Sequence, residues 1–142
     1  MSFPIDQTNF EGKRVLIRVD FNVPLNDSRE VTDDTRIRAA LPTIKKVLAD
    51  DGTPILMSHL GRPKGVDASL SMKHIQSKVE ELLGTKVHVT NDCIGQEALA
   101  VTQGIPKGEV GLLENLRFHG EEKKGDEFFA GQLAEHGDVW VN

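Results

Sequence analysis

The sequence predicts a doubly wound α/β fold, a three-layer Rossmann-like parallel sheet, and three observations carry that expectation. Short strand-like runs recur at Val15–Val19, Pro54–Met57, Lys86–Val89, Val110–Leu113 and Val139–Val141. They are nearly continuous in apolar and β-branched residues, as strands covered on both faces must be. Between them lie segments whose apolar residues recur at three- and four-residue steps, the signature of helices with one buried face. Strand and helix alternate throughout, so parallel strands joined by right-handed helical crossovers are the economical arrangement.

Residues 1–13 read as a lead-in arm with Phe3, Ile5 and Phe10 as packing points before Gly12 turns the chain. The first strand follows, and Pro24, which has no N–H to donate, predicts its end near Phe21. Thr32, Asp33 and Asp34 then supply capping oxygens and negative charge for a helix to about Asp50, with Pro42 interrupting it or starting its main part. Its stripe is Ile37, Ala40, Leu41, Ile44, Val47 and Leu48. The second strand runs straight into Ser58-His59-Leu60-Gly61-Arg62-Pro63-Lys64-Gly65, a loop that two glycines and a proline shape. Ser71 caps the next helix, which carries Ile75, Val79, Leu82 and Leu83 and stops at Gly84. After the third strand a helix is expected over Asp92–Gln103, burying Ile94, Ala98, Leu99 and Val101. The fourth strand leads into Glu114-Asn115-Leu116-Arg117-Phe118-His119 and a charged stretch, Glu121–Lys124. Asp126 caps a last helix with Phe128, Phe129 and Leu133 inside, and the fifth strand leaves an unpaired edge.

The chain's 142 residues, 38% of them apolar, suit one domain with one sizeable core. A formal charge of −5 argues against a general nucleic-acid or anionic-membrane surface. One cysteine, Cys93, excludes an internal disulfide, and no Cys/His metal spacing, signal-peptide stretch or apolar membrane span occurs. A cytoplasmic protein is the expectation.

All strand-end loops of such a sheet open on one edge, so Asp20, Asn22, His59, Arg62 and Arg117 are expected to converge there, joined by Arg36 from the start of the first helix. Three arginines and a histidine suit a small, multiply anionic ligand, because arginine forks bind phosphate or carboxylate oxygens in pairs. Asp20 adds an acceptor for a hydroxyl, with Asn22 bridging, and helix N-termini add partial positive charge. The residues alone leave blander readings open: loop arginines are often only solvated, and Asp20 is a common turn former. His74, His88, His119 and His136 read as structural, and Cys93 as a small core residue. Gly120–Gly125 has phosphate-loop spacing, but Asp126 stands where Lys and then Ser or Thr belong. No glycine-rich dinucleotide turn follows the first strand.

Four motifs then carry a resemblance. Arg18-Val-Asp20-Phe-Asn22-Val-Pro24, Thr35-Arg36-Ile37-Arg38-Ala-Ala-Leu-Pro-Thr-Ile44, Ser58-His-Leu-Gly-Arg-Pro63 and Glu114-Asn-Leu-Arg-Phe-His119 stand in the order and spacing of the phosphoglycerate kinase family. From Phe10 to Asn142 the chain resembles that family's N-terminal, phosphoglycerate-binding domain. The resemblance implies phosphoryl transfer between 1,3-bisphosphoglycerate and ADP, giving 3-phosphoglycerate and ATP, with Mg as cofactor, in an enzyme usually monomeric. It implies that Asp20 and Asn22 meet the substrate's hydroxyl and carboxyl end, that His59, Arg62 and Arg117 hold the phosphate that is not transferred, and that Arg36 is the catalytic arginine. It also implies that residues 1–142 are a truncated N-terminal domain, without the family's C-terminal nucleotide-binding domain, inactive alone. A receiver-like or other anion-binding α/β module is the alternative; a receiver needs an acid pair after the first strand, which Arg18–Asn22 does not supply.

Overall fold

The computed structural model describes residues 9–63, 65–119 and 127–141, and side chains within the last segment from Phe129 onward. Phe3, Ile5, Glu121–Lys124, the Asp126 cap and the side chain of Phe128 lie outside that description.

Five strands, β1 (Arg14–Arg18), β2 (Thr53–Met57), β3 (Val87–Val89), β4 (Val110–Leu112) and β5 (Val139–Val141), form one parallel sheet in the order β3-β4-β2-β1-β5. The longer helices among the described residues are α1 (Thr35–Ala49), α2 (Lys73–Leu83), α3 (Gln96–Gln103) and α4 (Glu127–Ala134). Alternation along each strand divides the core into two layers. Val15 and Ile17 of β1 and Leu56 of β2 face Ile37, Ile44 and Val47 of α1 and Ile75 and Val79 of α2. Leu16, Ile55 and Met57 face the opposite way, against Cys93, Leu116, Phe129 and Leu133.

That division fixes the site's place. The connections β1 to β2 and β2 to β3 pass over the α1 and α2 face, and α4, which follows β4, packs on the other. The loops after β2 and after β4 therefore leave neighbouring strands in opposite directions, at the carboxyl edge where open α/β sheets usually hold their ligands.

Several elements differ from expectation for local reasons. β1 ends at Arg18 rather than Phe21. Val19 N still donates to Met57 O at 3.0 Å, but Phe21 N turns to Ser58 Oγ at 2.9 Å, diverting the chain from the ladder. α3 begins at Gln96, not Asp92, because Asp92 Oδ1 accepts from Cys93 N at 2.7 Å in a turn and Gly95 takes φ 99°, a conformation suited to glycine. Val101, expected inside, is 36% exposed. α1 runs through Pro42, which sits on its solvent face, where a lost helical bond costs least. Asp34 occupies the N-cap without a side-chain cap bond; Asp33 Oδ1 instead accepts from Thr35 N at 3.0 Å. Ser71 Oγ accepts from Lys73 N at 3.2 Å, and Gly84 closes α2 at φ 71°.

His136 is fully buried between α3 and the loop after β3: Nδ1 accepts from Thr102 Oγ1 at 2.8 Å, and Nε2 donates to Cys93 O at 2.8 Å. One neutral tautomer satisfies both bonds, and burial holds its pKa below the usual histidine value. The unfolded chain takes up a proton near pH 6.5 that the folded chain refuses, so this contribution is full above that pH and declines below it, by up to about 1.4 kcal/mol per unit. Asp33, Asp34, Asp50 and Asp67, whose pKa values are lowered mainly by hydrogen bonds to Thr35, Arg38, Lys46 and Ser69, act in a separate window below their ordinary value of 3.8. The stability gap between the wild-type chain and His136→Gln should narrow as pH falls from about 7.5 to about 5. Urea melts across that range would show it; a gap independent of pH would count against a neutral, acid-sensitive His136.

Candidate functional site

Three loops meet at the carboxyl edge, and polar side chains stitch them together. The first, after β1, carries Asp20 and Asn22. Asn22 Oδ1 accepts from Gly61 N at 2.9 Å, and Ser58 Oγ accepts from Phe21 N, so two bonds tie the first loop to the second. Gly61 takes φ 65°, and a Cβ there would lie 2.8 Å from Leu70 Cδ2, which explains the glycine beside His59 and Arg62. His59 is half-buried and Arg62 exposed.

Arg36, in the first turn of α1, reaches back to the first loop. Its Nη1 donates to Asn22 O at 2.7 Å and stands 3.5 Å from Asp20 Oδ1. Both side chains of that ion pair are more than half exposed, which leaves it worth at most about 1 kcal/mol and readily exchanged for a ligand's oxygens. A recess of about 480 Å³ opens beside them, lined by Asn22, Val23, Pro24, Asp33, Thr35 and Arg36.

The third loop follows β4. Leu116–Phe118 is a single 3-10 turn whose Arg117 is half-buried, and Leu116 N donates to Ser58 O at 3.1 Å. Asp20, Asn22 and Arg36 thus touch one another directly, while the segments carrying His59, Arg62 and Arg117 are joined through backbone bonds. The latter three side chains do not line the 480 Å³ recess.

Carboxylates take one backbone donor at the start of α1 and one at the start of α2: Asp33 accepts from Thr35 N, and the buried Glu114 accepts from Met72 N at 2.7 Å, as well as from Ser71 Oγ at 2.6 Å. Arginines carry formal positive charge at this edge, beside helix ends that are partly occupied.

Sequence reasoning passed over Ser58, Glu114 and Asn115 as site-building residues. The signal was present in Glu114 and Asn115, two polar residues immediately behind the apolar run Val110–Leu113, in a place where polar side chains must find partners. The four histidines expected to be structural have partners: His74 meets Ala68 O, His88 meets Glu109, His119 meets Asp92, and His136 meets Thr102 and Cys93 O.

Asp92, Cys93 and His119 place three potential ligand atoms within 4.8 Å of one another. Hydrogen bonds account for the grouping, since Asp92 Oδ1 accepts from both His119 Nε2 and Cys93 N at 2.7 Å, and burial pushes the Cys93 thiol pKa up, away from the thiolate a metal would need. A second recess of about 390 Å³, lined by Ser71, Lys73, His74, Glu114, Phe118 and His119 among others, contains none of the six predicted site residues. Chemistry, rather than apolar volume, favours the arginine-bearing edge.

Fold and edge together define a class: a doubly wound α/β domain whose strand-end loops carry arginines and polar side chains at one edge of the sheet. The family model described as phosphoglycerate kinase matches residues 5–142. Phosphoglycerate kinases of Prochlorococcus marinus and Chloroherpeton thalassium are 52% and 55% identical over 139 residues, covering 97% of this chain and 35% of each relative. The crystal structure of phosphoglycerate kinase from Pyrococcus horikoshii superposes with a TM-score of 0.85 at 31% identity, over 100% of this chain and 36% of that one. The structure of phosphoglycerate kinase from Coxiella burnetii gives 0.80 at 32%, over 94% of this chain and 33% of that one. The chain belongs to the phosphoglycerate kinase family, and it spans about a third of the length of these relatives.

Proposed function

We propose that these residues form the phosphoglycerate-holding part of a phosphoglycerate kinase, an enzyme that moves a phosphoryl group from 1,3-bisphosphoglycerate to ADP, leaving 3-phosphoglycerate and ATP. The observation that supports it most is the edge at which Arg36 already holds Asn22 O and faces Asp20, with the segments of His59, Arg62 and Arg117 fastened beside it. In this reading Asp20 and Asn22 receive the hydroxyl and carboxyl end of the substrate. His59, Arg62 and Arg117 hold the phosphate that stays. Arg36 exchanges its weak pair with Asp20 for the oxygens of the migrating group, and its fixed positive charge offsets charge that builds up in transfer.

The nucleotide is left to other residues. Mg²⁺ asks for near-octahedral oxygen ligation, and the donor trio among the described residues is one carboxylate, one thiol and one imidazole, so these residues do not fit a magnesium–nucleotide site. The reading places catalysis at the meeting of this domain with a nucleotide-binding domain, closed over both substrates. It places the protein in the cytoplasm, as the name of the Arabidopsis thaliana relative, phosphoglycerate kinase 3, cytosolic, suggests for that protein, which is 49% identical. No helix among the described residues is long and apolar enough to cross a membrane.

Residues 1–142 expressed alone should bind 3-phosphoglycerate, shifting the amide resonances of Asn22, Gly61, Arg62 and Arg117, and should not phosphorylate it with Mg-ATP. A titration in which none of these amides responds would overturn the binding assignment. ATP-dependent turnover that survives repurification would overturn the division of labour.

A further inference from the structure

The three-loop edge depends on one side chain to which no role has been given. Asn115 is fully buried, and its amide uses its whole bonding capacity, two donor hydrogens and two acceptor lone pairs. Oδ1 accepts from Leu60 N at 3.3 Å and from Arg117 N at 3.0 Å. Nδ2 donates to Leu60 O at 2.8 Å and to Leu70 O at 2.9 Å. All four bonds go to backbone, and they reach three separate stretches of chain.

Its position explains the need. Asn115 sits where the chain leaving β4 and the chain leaving β2 part toward opposite faces of the sheet. Up to that point the ladder pairs them, through Leu113 N on Leu56 O at 2.9 Å, and one further backbone bond, Leu116 N on Ser58 O at 3.1 Å, joins them beyond it. Beyond it the backbone of Leu60 is buried with no strand to pair with, and the Asn115 amide acts as the missing strand partner, donating to its carbonyl and accepting from its N–H. Leu60 lies between His59 and Gly61, two residues from Arg62. The fourth bond fixes the N–H of Arg117 itself. Glu114 braces the clamp from behind, accepting from Asn115 N at 2.9 Å as well as from the start of α2.

We propose that Asn115 is a positioning residue for phosphate: it sets the separation of the Arg117 turn from the His59–Arg62 loop, and so the geometry in which those side chains grip one phosphate. The inference rests on the reading of this edge as a phosphoglycerate site. Asp20 and Asn22, at the other wall, are held by Gly61, Ser58-linked Phe21 and Arg36. Loss of the Asn115 amide should therefore weaken recognition of the phosphate end more than that of the hydroxyl and carboxyl end.

The test compares two ligands on the 142-residue chain: 3-phosphoglycerate, and glycerate, which has the same hydroxyl and carboxylate without the phosphate. Asn115→Asp keeps the acceptor oxygen and loses both donor bonds. Asn115→Ser keeps a short oxygen able to cap Arg117 N and loses the reach to Leu60 and Leu70. In the folded variants, 3-phosphoglycerate affinity should fall about tenfold or more, with glycerate affinity changed by less than about twofold. Equal losses for both ligands, or an unchanged preference for the phosphorylated one, would overturn the positioning role. A third measurement needs no variant: the Asn115 side-chain amide protons of the wild type should shift on adding 3-phosphoglycerate and not on adding glycerate, and their indifference to both ligands when the chain binds the first would also overturn it. Failure of the wild type to bind 3-phosphoglycerate at all is a different result, which removes the site assignment itself.

Discussion

Shortening Leu56 to alanine should destabilise the fold by about 3–5 kcal/mol. Leu56 is fully buried and stands in β2, which is hydrogen-bonded to β1 on one side and β4 on the other. The lost methylenes remove transfer free energy, and the cavity left behind adds a second cost that depends on how far the surroundings relax. Here they relax little. The backbone is pinned on both sides by the ladder, and the facing side chains Ile37, Ile44 and Ile75 are themselves fully buried on two helices. Domains of this size hold about 5–15 kcal/mol in total, so the variant gives up a large part of its margin. Urea unfolding followed by circular dichroism would show a lower midpoint with little change in slope. Val66→Ala is the companion control: Val66 is 87% exposed, and its midpoint should not move measurably. A loss under about 1 kcal/mol for Leu56→Ala would mean that the central layer is not packed as described.

The same packing explains what could be read from the chain without coordinates. Five strands and the helices between them were legible because burial on both faces leaves an unambiguous mark, as in Val15-Leu16-Ile17, where successive residues supply opposite layers. Element ends were less legible, because side chains far away in sequence decide them. Ser58 Oγ captures Phe21 N across 37 positions and ends β1 early. Asp92, shared between Cys93 N and His119, delays α3. The gathering of Asp20, Asn22 and Arg36 followed from the rule that strand-end loops share an edge, and the structure places them in contact there. The carboxylates on the N-termini of α1 and α2 did not follow: Glu114 lies 42 positions from the Met72 N–H it accepts from, and no local pattern pairs them. Asn115 escaped for the same reason, since a buried asparagine is identified by its partners and those lie up to 55 positions away.

Replacing both Arg62 and Arg117 by methionine should reduce 3-phosphoglycerate affinity by about two to four orders of magnitude, the largest functional effect expected at this edge. Each guanidinium-to-phosphate contact is a charge-assisted fork worth about 1.5–3 kcal/mol, and methionine preserves much of the length and apolar stem while removing every donor. The helix ends have less to offer in their place, because Asp33 already accepts from Thr35 N and Glu114 from Met72 N. Arg117→Lys separates charge from shape: a lysine keeps the positive charge but not the planar fork, so it should recover only part of the loss. Arg38 supplies the control, as it lies exposed on α1 and pairs with Asp34 at 3.0 Å, outside the cluster of strand-end residues. Arg38→Met should leave affinity unchanged. Salt offers an independent axis, because an arginine-held anion loses affinity as ionic strength rises, and the double variant should show a flatter dependence than the wild type. If the double variant binds as tightly as the wild type with the same salt dependence, the phosphate is held by other groups, and the convergence of the three loops serves the fold alone.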